Sequence, residues 1–89
     1  MTWRVEYSKD AEREIAKFDK PIAQRIIRFM GSRVAKLEDP RSIGQALAGS
    51  TLGNYWKYRV GDYRIIADIQ DGKLIVLVVR VGNRREVYR

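Results

Sequence analysis

Residues 2 to 7 alternate. Trp3, Val5 and Tyr7 fall on one side and Thr2, Arg4 and Glu6 on the other, the period of a half-buried strand. Ser8 stands in an N-cap position, and Lys9-Asp10-Ala11-Glu12 opens a helix, although Ser8 and Glu12 miss capping-box spacing by one. Ala11, Ile15 and Phe18 share a helical face, and Glu12, Glu14 and Lys17 lie elsewhere. Asp19-Lys20-Pro21 interrupts the run. Pro21 suits the first turn of a second helix, with Asp19 or Lys20 near its cap. Ile22, Ile26, Phe29, Met30, Val34 and Leu37 then recur at helical spacing, which carries this helix to Leu37. Arg25, Arg28, Arg33 and Lys36 take its other positions. So short a link predicts an antiparallel helix hairpin.

Residues 38 to 54 are irregular. Pro40, Gly44, Gly49 and Gly53 mark a surface loop, with Leu47 as its anchor. Strands follow. Gly61-Asp62 reads as a type II′ corner and Asp71-Gly72 as a type I′ turn. The stretch Leu74 to Val81 is apolar on both faces, which predicts a central strand covered on both sides. A short terminal strand is expected near Arg84 to Tyr88. The order is β-α-α-β-β-β over one domain, residues 1–89. The fold class is α+β: an N-terminal strand, a helix hairpin, then a mostly antiparallel sheet of three to four strands with the helices on one face.

Composition changes the picture through charge. Eighteen Lys and Arg against eleven Asp and Glu leave a net charge of +7. Such a surplus favours an acidic partner: nucleic acid, an acidic protein or an anionic membrane. The chain has no Cys and no His, which excludes a disulfide framework and the common zinc sites. It shows no signal-peptide run and no bilayer-length apolar segment, so a cytoplasmic location is expected.

The last third interleaves cations with tyrosines: Tyr55-Trp56-Lys57-Tyr58-Arg59, Gly61-Asp62-Tyr63-Arg64, then Gly82-Asn83-Arg84-Arg85-Glu86-Val87-Tyr88-Arg89. Strand alternation sorts them. Trp56, Tyr58 and Val60 make the better core face, which leaves Lys57 and Arg59 exposed together. Tyr63, Ile65, Ala67 and Ile69 read as buried, and Arg64 shares the outer face with Ile66 and Asp68. Arg84, Glu86 and Tyr88 share a side. Lys57, Arg59, Arg64, Arg84 and Tyr88 converge if the outer face is concave. Guanidinium groups grip phosphate bidentately, and fixed cations stabilise the extra charge of a phosphorane-like transition state. A tyrosine in that field has its pKa lowered and can take the proton of a ribose 2′-OH. The bland reading of each residue is also open: a solvated basic face, Tyr88 as edge packing, Trp56 and Tyr58 as core, the second-helix arginines as solubilising. On a regular strand Arg84 and Tyr88 are ~13 Å apart, so one phosphate meets both only if the chain bends. The residues alone support a basic domain that binds nucleic acid or an acidic protein.

The segments Tyr55-Trp56-Lys57-Tyr58-Arg59-Val60-Gly61-Asp62-Tyr63-Arg64-Ile65-Ile66 and Val81-Gly82-Asn83-Arg84-Arg85-Glu86-Val87-Tyr88, with Ala11, Ile15 and Phe18-Asp19-Lys20 before them, resemble the RelE toxins of bacterial toxin–antitoxin pairs, within the RelE/ParE superfamily. The resemblance spans essentially the whole chain. It implies a microbial RNase-like fold and a metal-independent, ribosome-dependent endoribonuclease that cuts mRNA in the A site. It places the two lysine-type positions on Lys57 and Arg59, the transition-state arginine on Arg64, the leaving-group arginine on Arg84 and the proposed base on Tyr88. Arg85 and Arg89 fall where further RNA contacts are expected. It implies a RelB-like antitoxin as protein partner, the ribosome and mRNA as targets, no membrane and no cofactor. The chain departs from the pattern at Asn83, where many relatives carry His, and at Arg59, where the best-known members carry Lys. It also stops without the C-terminal helix of some members. The alternatives are a ParE-like inhibitor of DNA gyrase and a non-catalytic nucleic-acid-binding module. Lys57, Arg64, Arg84 and Tyr88 together favour the RelE side.

Overall fold

A computed structural model describes residues 2–47 and 55–83. Its first strand, β1 (Arg4–Tyr7), keeps the expected alternation: Trp3 is buried, Val5 and Tyr7 are half-buried, and Arg4 and Glu6 face water. Ser8 ends the strand and starts α1 (Lys9–Ala16). Its hydroxyl accepts the Ala11 N–H at 3.1 Å and donates to the Val79 carbonyl at 3.0 Å. One side chain thus caps a helix and ties it to the sheet. Ala11 and Ile15 are buried, and Phe18 packs against the same core.

The second helix, α2 (Lys20–Ser32), has Pro21 in its first turn and Asp19 at its N-cap, as expected. It stops at Ser32 rather than Leu37. Val34–Lys36 tightens into a 3-10 turn that keeps Val34 fully buried. The segment after α2 is tied to the N-terminus instead: the Trp3 N–H takes the Ala35 carbonyl at 2.8 Å, and the Trp3 indole donates to the Glu38 carbonyl. Two carbonyls past the helix end thus find their partners in the residue before β1.

The segment expected as loop is more ordered than its composition suggests. Pro40–Ile43 forms a 3-10 turn and Gln45–Ala46 forms a short strand, β2. The buried anchor is Pro40, not Leu47, which is half-buried. The Tyr58 hydroxyl donates to the Pro40 carbonyl at 2.6 Å. Arg41 reaches Asp39 and Asp71 and lies 5.8 Å over the Trp56 ring. Gly49 and Gly53 fall outside the described residues.

Three longer strands follow: β3 (Tyr55–Val60), β4 (Tyr63–Gln70) and β5 (Ile75–Asn83). Gly61 joins the first two at φ +57, while Asp62 keeps a negative φ, as a type II′ turn requires. The second hairpin departs from expectation. Gln70 pairs with Ile75 around four residues, Asp71–Lys73 is a 3-10 turn, and Leu74 takes the left-handed position at φ 53, ψ 45. Gly72 does not. The Leu74 N–H closes the turn on the Asp71 carbonyl, and Arg41 holds the Asp71 carboxylate.

The five strands lie in the order β1-β5-β4-β3-β2. β1 runs parallel to β5, and the other pairs are antiparallel. β5 is an interior strand between β1 and β4, as its apolar run predicts, although β4 is the middle strand of the five. Its inner face, Val76, Val78 and Val81, is buried, but Ile75, Leu77 and Val79 on the other side are only half-buried. α1 lies on β5, and α2 touches β1 and β3. One sheet face therefore carries the helices and the core of Tyr58, Ile65, Ile69, Val76 and Val78. Beyond Val78 the partner strand β1 has ended. There Glu14 of α1 takes its place, accepting the Val81 N–H at 2.8 Å and gripping Arg80 with both oxygens.

Candidate functional site

The site lies on the open face of the sheet. β3 buries Tyr58 and Val60 against the helices, so Lys57 and Arg59 project the other way. β4 does the same: Ile65, Ala67 and Ile69 are buried in the core, and Arg64 and Asp68 are half-buried on the other face. Ile66, expected to share that outer face, alternates with them as expected but is buried at 6% exposure. Register then decides which cations meet. Arg59 is directly opposite Arg64, and Lys57 is opposite Ile66 on one side and Gln45 on the other. Opposed side chains in an antiparallel pair have Cβ atoms ~5 Å apart.

The neighbour of Arg64 on β5 is Gly82. It adds no side chain of its own beside Arg64, and both the glycine and the Arg64 Nε are buried. A cleft of about 230 Å³ lies here, lined by Ile43, Gln45, Lys57, Tyr58, Arg59 and Arg64. Arg59 is exposed and its Nε donates to the Gly61 carbonyl at 3.4 Å, while Lys57 and Arg64 are half-buried. Half-burial withdraws some solvent and strengthens the pull of these cations on an anion.

Tyr58 reaches this cleft but is a poor proton acceptor. Burial pushes its hydroxyl up to about 12, only partly countered by nearby Arg41. Burial also raises Tyr7, which lies on the helix face of the sheet. A phenolate base is therefore not found in either residue.

Of the residues singled out in the sequence, Lys57, Arg59 and Arg64 come together here. Arg84, Arg85, Tyr88 and Arg89, with the expected terminal strand, lie outside the described residues. The last described residue, Asn83, pairs with Tyr63, one position from Arg64. Ile43 and Gln45 are cleft-lining residues that alternation did not reveal, because they reach it from a segment read as loop. Two guanidinium forks and an ammonium in one cleft have the chemistry to grip a phosphate.

Comparison with known proteins adds lineage. A model of the ParE toxin of the parDE type II toxin–antitoxin system matches residues 5–88. Toxin RelG of Mycobacterium tuberculosis (strain ATCC 25618 / H37Rv) is 26% identical over 89 residues, 100% of this chain and 99% of that protein. Among solved structures, the toxin–antitoxin complex RelBE2 from Mycobacterium tuberculosis superposes with a TM-score of 0.84 at 23% identity, covering 97% of this chain and 95% of that one. A double mutant of E. coli toxin RelE in the free state gives 0.79 at 21% identity, covering 98% and 88%. The RelE–RelB complex from Pyrococcus horikoshii OT3 gives 0.72 at 21% identity, covering 98% and 100%. The structural likenesses establish a common fold.

Proposed function

From the premise that the chain belongs to the ParE toxin family of type II toxin–antitoxin systems, within the RelE/ParE superfamily, we propose that it is a ribosome-dependent mRNA endonuclease that cuts in the A site. The observation that carries this reading is the opposition of Arg59 and Arg64 beside Lys57 in one cleft of the open sheet face. Two guanidinium groups at opposed positions beside an ammonium can offer one phosphate several charge-assisted donors at once, which supports the reading.

In this reading the scissile phosphate sits between Lys57, Arg59 and Arg64. The ribose 2′-oxygen attacks its own phosphorus as its proton leaves, the bond from phosphorus to the 5′-oxygen breaks, and a cyclic phosphate and a 5′-hydroxyl result. Arg64 and Lys57 balance the negative charge gathered on the equatorial oxygens. Tyr88 is the proposed base and Arg84 faces the leaving oxygen, which takes its proton from solvent. Arg85 and Arg89 are proposed to hold neighbouring phosphates. A RelB-like antitoxin, carrying acidic and apolar positions, is the proposed protein partner.

The match to the ParE model favours a second reading, a protein-binding inhibitor of DNA gyrase, which needs no phosphate cleft. One experiment separates the two. In a cell-free translation system, mRNA 5′ ends are mapped by primer extension while plasmid supercoiling is followed in parallel. Cuts at A-site codons that vanish in Tyr88→Phe and Arg64→Ala uphold cleavage. Intact mRNA with blocked supercoiling selects the gyrase reading.

A further inference from the structure

Arg25, Arg28 and Arg33 read from the sequence as a solubilising face, but their setting is more specific. Arg25 and Arg28 lie three apart on α2, and Arg33 follows at its C-cap. This side of the helix borders the β3–β4 turn across a cleft of about 400 Å³, whose far wall is Arg59, Val60 and Gly61. Gly61 lets the Arg25 guanidinium lie close to the turn; a Cβ there would stand 3.3 Å from Arg25 Nη1. All four arginines are exposed. The ion pairs among the described residues engage Arg4, Arg13, Arg41 and Arg80, and none of these four. Four cations around one cleft repel each other, and a bound anion relieves that repulsion.

Arg59 lines this cleft and the first one as well. Arg59 thus joins the two clefts at the β3–β4 corner, which also carries the exposed carboxylate of Asp62. Aromatic stacking is not on offer there. Phe29, half-buried, packs edge-on against the Tyr58 ring at 6.2 Å. Guanidinium forks without a stacking platform suit phosphates rather than bases.

We propose that the α2 cleft is a second binding site for a phosphodiester backbone, holding a stretch of RNA other than the one at the Arg59–Arg64 cleft. The choice of RNA rests on the endonuclease reading above; the anion site itself does not. Its contacts are independent of base sequence, and Arg59 couples it to the first cleft.

The test is salt-dependent binding of a labelled single-stranded RNA to the full chain without ribosomes, followed by fluorescence anisotropy. Each phosphate contact to a single strand contributes about 0.7 to the slope of log affinity against log salt. Loss of three contacts in the R25Q/R28Q/R33Q variant lowers the slope by about two, so that raising salt fourfold weakens the wild type roughly 20-fold more than the variant. Arg28→Gln alone lowers it by about 0.7 and serves if the triple variant does not fold. Unchanged slopes in the folded variants overturn the proposal. So does a triple variant that keeps RNA binding while losing affinity for a polyglutamate peptide, since the cleft then docks acidic protein. A-site cleavage measured on the same proteins keeps the two readings apart. A lowered slope with no cleavage by the wild type leaves the α2 site standing and removes the endonuclease. Cleavage with unchanged slopes does the reverse.

Discussion

Arg59 and Arg64 stand directly opposite each other across β3 and β4, with Gly82 on the far flank of Arg64. The pairing works against the sheet and for an anion. Like charges at opposed positions cost a few tenths to about 1 kcal/mol, and a phosphate between them turns that repulsion into attraction.

Arg64→Ala is therefore expected to separate activity from stability. Removal of one preorganised cation from a developing charge typically lowers turnover about 10²–10³-fold. Arg64 is half-buried on the face away from the helices and outside the apolar core, so stability is expected to change by about 1 kcal/mol or less. A-site cleavage assays and thermal melts on the same protein check both halves. A large fall in melting temperature would mean that Arg64 is structural.

Tyr58→Phe tests the sheet edge. The hydroxyl is buried and donates to the Pro40 carbonyl, and its loss leaves that carbonyl unpaired at a cost of ~1–3 kcal/mol. It also changes the alkaline limb. Tyr58 is held at about 12 in the folded protein, above the ~10 of an exposed tyrosine. The folded state retains a proton that the unfolded chain releases. That contribution is whole below pH ~10 and is lost as pH rises toward the folded value. Urea midpoints at neutral and alkaline pH are expected to diverge less in the variant than in the wild type.

Glu14 substitutions distinguish backbone satisfaction from an ion pair. Arg80 is 52% exposed, so its pairing with Glu14 contributes little by itself. The Val81 N–H, by contrast, has Glu14 as its acceptor where β1 no longer reaches. Glu14→Ala is expected to cost ~1–3 kcal/mol, and Glu14→Gln, which retains an acceptor oxygen, less than ~1 kcal/mol. Amide exchange at Val81 should quicken in the alanine variant only. Equal quickening in both would assign the effect to the charge.

Leu74→Gly sets backbone strain against packing. Leu74 sits at φ 53, a conformation that costs a side-chain-bearing residue ~1–2 kcal/mol. It is 37% exposed, so most of its surface is covered, and removing the side chain costs a comparable ~1–2 kcal/mol. The added freedom of glycine in the unfolded chain costs up to ~1 kcal/mol more, so chemical denaturation is expected to show a fall of about 1 kcal/mol or less. A rise instead would show that the backbone strain outweighs Leu74 packing.

Local periodicity determined a good deal here. It divided Trp56, Tyr58 and Val60 from Lys57 and Arg59, placed Arg64 on the outer face, set Ser8 as a cap and Gly61 at a hairpin corner, and made β5 an interior strand. Each of these depends on one residue and its immediate neighbours, through side-chain alternation or backbone dihedral preference. What remained belonged to distant pairings. Whether Arg64 meets Arg59 and Gly82 is a matter of register across three strands, and register follows from how the whole sheet buries one face. The Ala35 carbonyl, past the end of α2 at Ser32, finds its donor in Trp3 from far along the chain. The Asp71 turn lies against Arg41, thirty residues away. Arg25 and Arg28 face Gly61 only because α2 packs beside β3. A sequence window holds one partner of each such pair, and tertiary structure supplies the other.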